Sequence, residues 1–401
     1  MAQDEPDNLD PATRLVTSGR NGERHVVNPP VYRASTHLYA DCAELREGRN
    51  TNEDGRFFYG RRGSPTQWAL AEALTALEPG AHGTVLYPSG VAAIAGALLT
   101  VLKPGDVLLV IDNAYDPTRT MALGLLKRFG VEARMFDPLN LEGYRAAFCE
   151  RTRAVMLENP GSLTMEVCDI PALAAIAREK GAVSLLDNTW ATSLGFAALE
   201  HGCDIAIEAL TKHVGGHSDL MMGSCTAGER WYRRLRQTAQ NLGHVVSPDD
   251  AALALRGLRT LQVRLERETA SALRIAEWLE TREEIAHVLC PMLPGAAGHE
   301  FWQRDFTGGC GLFSFVLKGR DDEARCRLID ALTLFGIGYS WGGFESLALP
   351  FDADNVRSLM DWPKPGWEAG DRLGIRLSIG LEDADDLIAD LDRALAAMDK
   401  E

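Results

Sequence analysis

What this chain lacks narrows the possibilities first. No apolar stretch reaches the roughly 18 residues of a membrane-spanning helix, so no membrane partner is expected. Positive charge is scarce: 41 lysines and arginines face 57 aspartates and glutamates, a net charge of −16. That balance argues against nucleic acid or an anionic lipid surface as partner. The eight cysteines (Cys42, Cys149, Cys168, Cys203, Cys225, Cys290, Cys310, Cys326) are scattered without a C-x-x-C pair. Neither a zinc knuckle nor a disulfide framework is indicated, and reduced, mostly buried thiols are expected. His213 and His217 have the spacing of a helical metal pair, but Gly215-Gly216 between them disfavours the helix, so no metal is expected. The start, Met1-Ala2-Gln3-Asp4-Glu5-Pro6-Asp7, is acidic and has no basic, apolar signal segment, which points to the cytoplasm. Repeats and low-complexity segments are missing as well.

What is present is ordinary globular material, 46% hydrophobic and 24% charged over 401 residues, enough for one large and one smaller domain. The first 65 residues read as an irregular arm, with Asn28-Pro29-Pro30 and the loop Arg49 to Gly55. A helix is expected from Thr66, with Leu70, Leu74 and Leu77 on one face. Short apolar runs then alternate with helical stretches. The runs are Val85-Leu86-Tyr87, Val107 to Ile111, Ala154 to Leu157, Val183 to Leu186 and Ile205 to Ile207. Between them, a helix opens after Ser89, and Pro171 to Lys180 has proline in its first turn and Gly181 past its end. This alternation predicts a mainly parallel sheet covered on both faces, over residues 66–260. Residues 261–401 change character, with amphipathic stretches at Arg264 to Thr281 and Ala384 to Met398 around Gly311 to Leu317. They predict a smaller C-terminal α/β domain.

Two ionisable residues stand 25 positions apart at the ends of apolar runs: Asp187 after Val183 to Leu186, and Lys212 after Asp204 to Thr211. That pairing suits pyridoxal phosphate (PLP): a lysine to bond the cofactor aldehyde, and a carboxylate to keep the pyridine nitrogen protonated. Gly90 and Val91 open the helix after Ser89, so their backbone N–H groups can bind a phosphate. Tyr115 follows the run ending at Ile111, where open α/β sheets bind ligands, and can stack on a planar ring.

Several strings together carry a resemblance. They are Tyr59-Gly60-Arg61-Arg62-Gly63-Ser64-Pro65-Thr66, Pro88-Ser89-Gly90-Val91-Ala92-Ala93, and Glu158-Asn159-Pro160-Gly161-Ser162. Asp187-Asn188-Thr189-Trp190, Thr211-Lys212 with Gly216-His217-Ser218-Asp219, and Gly298-His299-Glu300-Phe301-Trp302 continue the series. Tyr339-Ser340-Trp341-Gly342-Gly343 and Arg376 to Glu382 complete it. In this order, along nearly the whole chain, they resemble the PLP-dependent enzymes of cysteine and methionine metabolism, the trans-sulfuration family. The resemblance implies the aspartate-aminotransferase-like fold (fold type I) and a homotetramer built as a dimer of dimers.

The resemblance also implies roles. Lys212 would carry the cofactor and act as base, and Asp187 would partner the ring nitrogen. Thr211 would add a hydroxyl to the phosphate; Asn159 would support the ring oxygen. The family commonly has serine where this chain has Ala209, so one phosphate contact would be missing. Tyr59 and Arg61 would reach across the dimer to the neighbour's phosphate, Tyr59 also as a proton donor. Arg376 would hold the substrate carboxylate with Ser340 beside it, and Tyr339 and Trp341 would also bind the substrate. The implied reaction is β-elimination from L-cystathionine to homocysteine, pyruvate and ammonia, in methionine biosynthesis. Relatives with γ-chemistry usually carry Ser-Leu-Gly-Gly at 340–343, so Trp341 favours β-elimination. A γ-lyase or γ-synthase, a β-lyase on other cysteine S-conjugates, and a low-turnover PLP-binding regulator stay open.

Overall fold

The computed structural model describes residues 9–20, 26–50, 55–359, 367–368 and 370–398. The acidic start Met1 to Asp7 and loop residues 51–54 lie outside these. Seven strands form the first sheet: β1 (Gly83–Tyr87), β2 (Val107–Ile111), β3 (Glu132–Phe136), β4 (Thr152–Glu158), β5 (Val183–Asp187), β6 (Ile205–Glu208) and β7 (Gly223–Ala227). Their order is β1-β7-β6-β5-β4-β2-β3, with only β7 running against its neighbours. All five residues of β2 are fully buried, as a parallel strand covered on both faces requires.

Two of these strands were not legible as apolar runs, for different reasons. β3 is a half-buried edge strand, and its sequence Glu-Ala-Arg-Met-Phe reflects that. β7, Gly-Ser-Cys-Thr-Ala, is fully buried but made of small residues. It passes beneath the start of the helix Gly90–Val101, where a Cβ on Gly223 would meet the Ser89 carbonyl oxygen at 2.4 Å. Close approach, not β-propensity, chose its residues.

A second sheet joins β8 (Ile285–Leu289), β9 (Leu312–Leu317), β10 (Gly336–Ile337), β11 (Leu347–Asp352) and β12 (Leu373–Ser378), in the order β10-β11-β12-β9-β8. Only β10 and β11 pair in parallel. Phe313, Phe315, Leu387, Leu391 and Leu395 belong to its separate core. The helix Leu261–Glu280 serves both cores: Leu261 and Leu265 pack on the first, Ile275 and Leu279 on the second.

The N-terminal arm is more regular than expected. It holds the helices Pro11–Thr17 and Cys42–Asn50. The first is short enough to escape periodicity, yet Asp10 caps it by accepting from the Ala12 N–H at 2.9 Å, and Pro11 opens it. The arm is tied down by the Tyr32 N–H donating to Thr66 Oγ1, 2.9 Å, and by Arg33 paired to Asp249. No helix among the described residues is long and apolar enough to cross a membrane.

Candidate active site

The two sheets leave a cavity of about 710 Å³ between them. From the first sheet it takes the C-terminal ends of β4, β5 and β6 with the loops beyond. From the second it takes β11, β12 and the turn at Tyr339 to Trp341.

Asp187 is the last residue of β5 and is buried. Its Oδ1 accepts from the backbone N–H and hydroxyl of Thr189. Burial pushes its pKa up, while Thr189 and the Lys212 ammonium pull it down. Lys212 does not end a strand as the sequence suggested. β6 stops at Glu208, and the lysine sits in a turn closed by its own N–H on the Ala209 carbonyl, 3.0 Å. The bend aims Nζ into the cavity, where it donates to Ser340 Oγ at 2.8 Å. Burial first, then the Arg376 guanidinium, lowers the lysine pKa from 10.5 to about 8. Arg376, on β12, donates from Nη2 to the Ser340 carbonyl at 2.8 Å, and its buried Nε has no partner among the described residues. Burial brings its pKa down to about 10. The lining thus presents three basic groups, Lys212, Arg376 and Arg119, and an unfilled guanidinium face on Arg376, suited to an anionic guest.

The helix Gly90–Val101 points its N-terminus at the same space. Ser89 Oγ accepts from the Ala92 N–H at 3.1 Å, leaving the Gly90 and Val91 N–H groups to face the cavity. A Cβ on Gly90 would stand 2.7 Å from the Ala209 Cβ, so both small residues are needed for that approach. Tyr115 is half-exposed on the cavity wall, its backbone N–H donating to Glu158 Oε2 at 2.6 Å.

Not every expected residue lies here. Thr211 lines the cavity, but its hydroxyl donates to the Met222 carbonyl at 3.1 Å and accepts that residue's N–H at 3.0 Å. Asn159 is buried behind the lining, both ends of its amide on the Cys168 backbone. Tyr59 and Arg61 are absent from the lining; Arg61 Nη1 donates to the Gln240 carbonyl, 2.7 Å, elsewhere on the same chain. Glu158 and Arg119 are among the lining residues that escaped the sequence reading. Glu158 ends β4 in register with Asp187 on β5, and burial beside that carboxylate raises its pKa well above the usual range. The rule that found Asp187 would have found it. Arg119 carries no such signal.

A deep carboxylate, a lysine of lowered pKa, an aromatic wall and a free helix N-terminus fit a phosphate-bearing pyridinium aldehyde, the site of a PLP-dependent enzyme. The sequence profile described as Cys/Met metabolism PLP-dependent enzyme matches residues 12–396, and the chain belongs to that family. It is 42% identical over 389 residues to "Cystathionine beta-lyase MetC" of Escherichia coli (strain K12), covering 96% of this chain and 98% of that protein. It is 38% identical over 400 residues to the "L-alanine/L-glutamate racemase" of Wolbachia pipientis wMel, covering 96% of each. Among solved structures, metB from Corynebacterium glutamicum matches with a TM-score of 0.87 and 30% identity, over 98% of this chain and 99% of that one. The expected fold is therefore present, and PLP is its family's cofactor.

Proposed function

We propose that the chain is a carbon–sulfur lyase that splits L-cystathionine at Cβ, yielding homocysteine, pyruvate and ammonia. One observation carries the reading: Lys212 Nζ and the Arg376 guanidinium meet on Ser340, by hydroxyl and carbonyl. An α-carboxylate bound by Arg376 would thus set its own Cα beside the lysine. The E. coli relative's name supports the substrate.

In this reading Gly90, Val91 and Ser89 would hold the cofactor phosphate, Asp187 the ring nitrogen and Tyr115 the ring face, and Lys212 would be the amine that holds the aldehyde until the substrate amine takes its place. When bound, PLP supplies an aldehyde that links to amines and a pyridinium ring that takes up the electron pair left at Cα. Arg376 binds the substrate carboxylate in a fork and fixes the direction of the Cα–H bond. Lys212, whose pKa burial and Arg376 lower to about 8 so that a neutral fraction is available near neutral pH, takes the α-proton. The Cβ–S bond then breaks with its electron pair on sulfur, and Lys212 or a tyrosine such as Tyr59 protonates the leaving thiolate. The three-carbon enamine released hydrolyses in water to pyruvate and ammonia.

The working unit in this proposal is a homotetramer in the cytoplasm, with Tyr59 and Arg61 of residues 1–65 entering a neighbour's site. In support, the arm exposes Val26, Val27 and Phe57, and Leu38 is 92% exposed. So many large apolar side chains at one end of a chain are normally covered. The test is to incubate the purified holoenzyme with L-cystathionine and identify the keto acid. Pyruvate is expected; 2-oxobutyrate would mean γ-cleavage. Racemised L-alanine without keto acid would instead align the chain with the Wolbachia relative.

A further inference from the structure

The cavity holds a second guanidinium that the reaction above leaves unused. Arg119 lies in the short helix Asp116–Thr120, just beyond Tyr115, and lines the cavity with Lys212 and Arg376. Its only hydrogen bond among the described residues runs from Nη1 to the Val356 carbonyl, 2.8 Å, and no carboxylate there pairs with it. Two sides of its donor fork are left for a guest.

The anchor is rigid. Arg357, next to Val356, is fully buried and bonds Asp112 at 3.0 Å, Asp137 at 2.8 Å and Glu166 at 2.6 Å. Asp112 and Asp137 directly follow β2 and β3, and Glu166 lies in the loop after β4. The backbone N–H groups of Ser358 and Leu359 also donate to Asp112. The segment carrying Val356 is therefore pinned to the C-terminal edge of the first sheet, and Arg119 is held against it.

Arg119 and Arg376 serve different parts of the cavity. Arg376 faces Leu349 across the β11–β12 ladder. From Leu349, β11 continues to Asp352, about 10 Å of strand, before the chain turns to Val356. A guest with its first carboxylate on Arg376 would have that length of strand along which to reach Arg119.

We propose that Arg119 determines specificity for the distal half of the substrate. It binds a second carboxylate, so the preferred substrates are cysteine S-conjugates whose leaving thiol carries its own acid group. The assignment rests on the β-elimination reading above. Arg119 takes no part in bond breaking.

The test compares holoenzyme kcat/KM for L-cystathionine with that for S-ethyl-L-cysteine, which keeps the proximal head and thioether but has no distal carboxylate. Arg119→Met and Arg119→Gln should each lower the cystathionine to S-ethylcysteine ratio by about tenfold to a hundredfold, the effect of losing a charged hydrogen bond. The change should fall mainly on KM for cystathionine. Calorimetric binding of the carba analogue of cystathionine, with methylene in place of sulfur, should weaken in parallel. Either folded variant with an unchanged ratio overturns the assignment, whereas a general loss on both substrates would give Arg119 a structural role only. A wild type that releases pyruvate from neither compound would remove the lyase reading, and the assignment with it.

Discussion

A lysine that serves as base near neutral pH cannot keep the proton affinity of an exposed ammonium. In Lys212, burial does most of this work and Arg376 adds to it. The folded protein releases that proton at about 8 and the unfolded chain near 10.5. Between those values the unfolded state binds more protons, so stability of the cofactor-free protein rises with pH across the window; below it the penalty is complete. Cofactor-free Lys212→Met protein should therefore be more stable than the parent at neutral pH, with the gap closing as pH rises through the window. Urea midpoints of the two proteins along a pH series check this. The same substitution should reduce pyruvate formation by at least the factor of about 10²–10⁴ attached to a positioned base. Asp187→Asn keeps the size and the Thr189 bonds but loses the charge. Turnover should fall steeply while circular dichroism is unchanged, and retained turnover would assign the ring nitrogen to another group, Glu158 first.

At the scale of elements, the turn Tyr339 to Gly343 does the positioning. Ser340 is held at φ +77° and Gly342 at +78°, a left-handed backbone stabilised from both sides. The Ser340 carbonyl accepts Arg376, and the Gly342 N–H donates to Ser378 Oγ at 3.1 Å. The indole of Trp341 packs edge-on to His213, 5.2 Å between centroids, with Lys212 Nζ 5.3 Å from its ring centre. In the proposed reaction an indole there would narrow the pocket over Cβ, where γ-elimination would need a second proton removed. Trp341→Leu should raise KM for cystathionine and shift the pyruvate to 2-oxobutyrate ratio towards the latter; an unchanged ratio and KM in a folded variant would leave Trp341 as packing. The Arg357 clamp is the other such element. Arg357→Met strands the buried carboxylates of Asp112 and Glu166, at a cost of about 3–5 kcal/mol, to be read as a lower denaturant midpoint. Legibility follows the same physics. Strands buried on both faces, such as β2 and β5, announce themselves as apolar runs, and the residues at their ends follow. β7 is written in small residues for close approach and β3 in edge-strand polarity, so neither shows. The site residues on β5, the helix after Ser89 and the Ser340 turn were readable. Arg119 and Arg357 are ordinary arginines until folding places one in the cavity and the other among three carboxylates.

At the scale of the whole molecule, one chain does not bring all the expected groups together. Lys212, Asp187, Tyr115, Gly90 and Arg376 line one cavity, but Tyr59 and Arg61 do not. Tyr59 is half-exposed and Arg61 rests on the backbone of Gln240. Exposed apolar side chains on the arm, and a loop held away from this chain's own cavity, are what the proposed sharing of sites between subunits would need. If so, the loop and the lysine of one subunit serve different sites, and in a mixed dimer the two kinds of damage fall together in one site. Arg61→Ala and Lys212→Ala homo-oligomers should each be poorly active, the first because a dianionic phosphate loses its forked cation, the second because the base is gone. When the two are unfolded together and reassembled, half-sites recombine: one of the two sites in each mixed dimer carries both losses, and the other carries neither. Pyruvate formation should then recover to a fraction set by the proportion of mixed dimers, measured by tagging one partner. Exchange proven by the tag with no recovered activity would place Arg61 in the service of its own subunit, or of none.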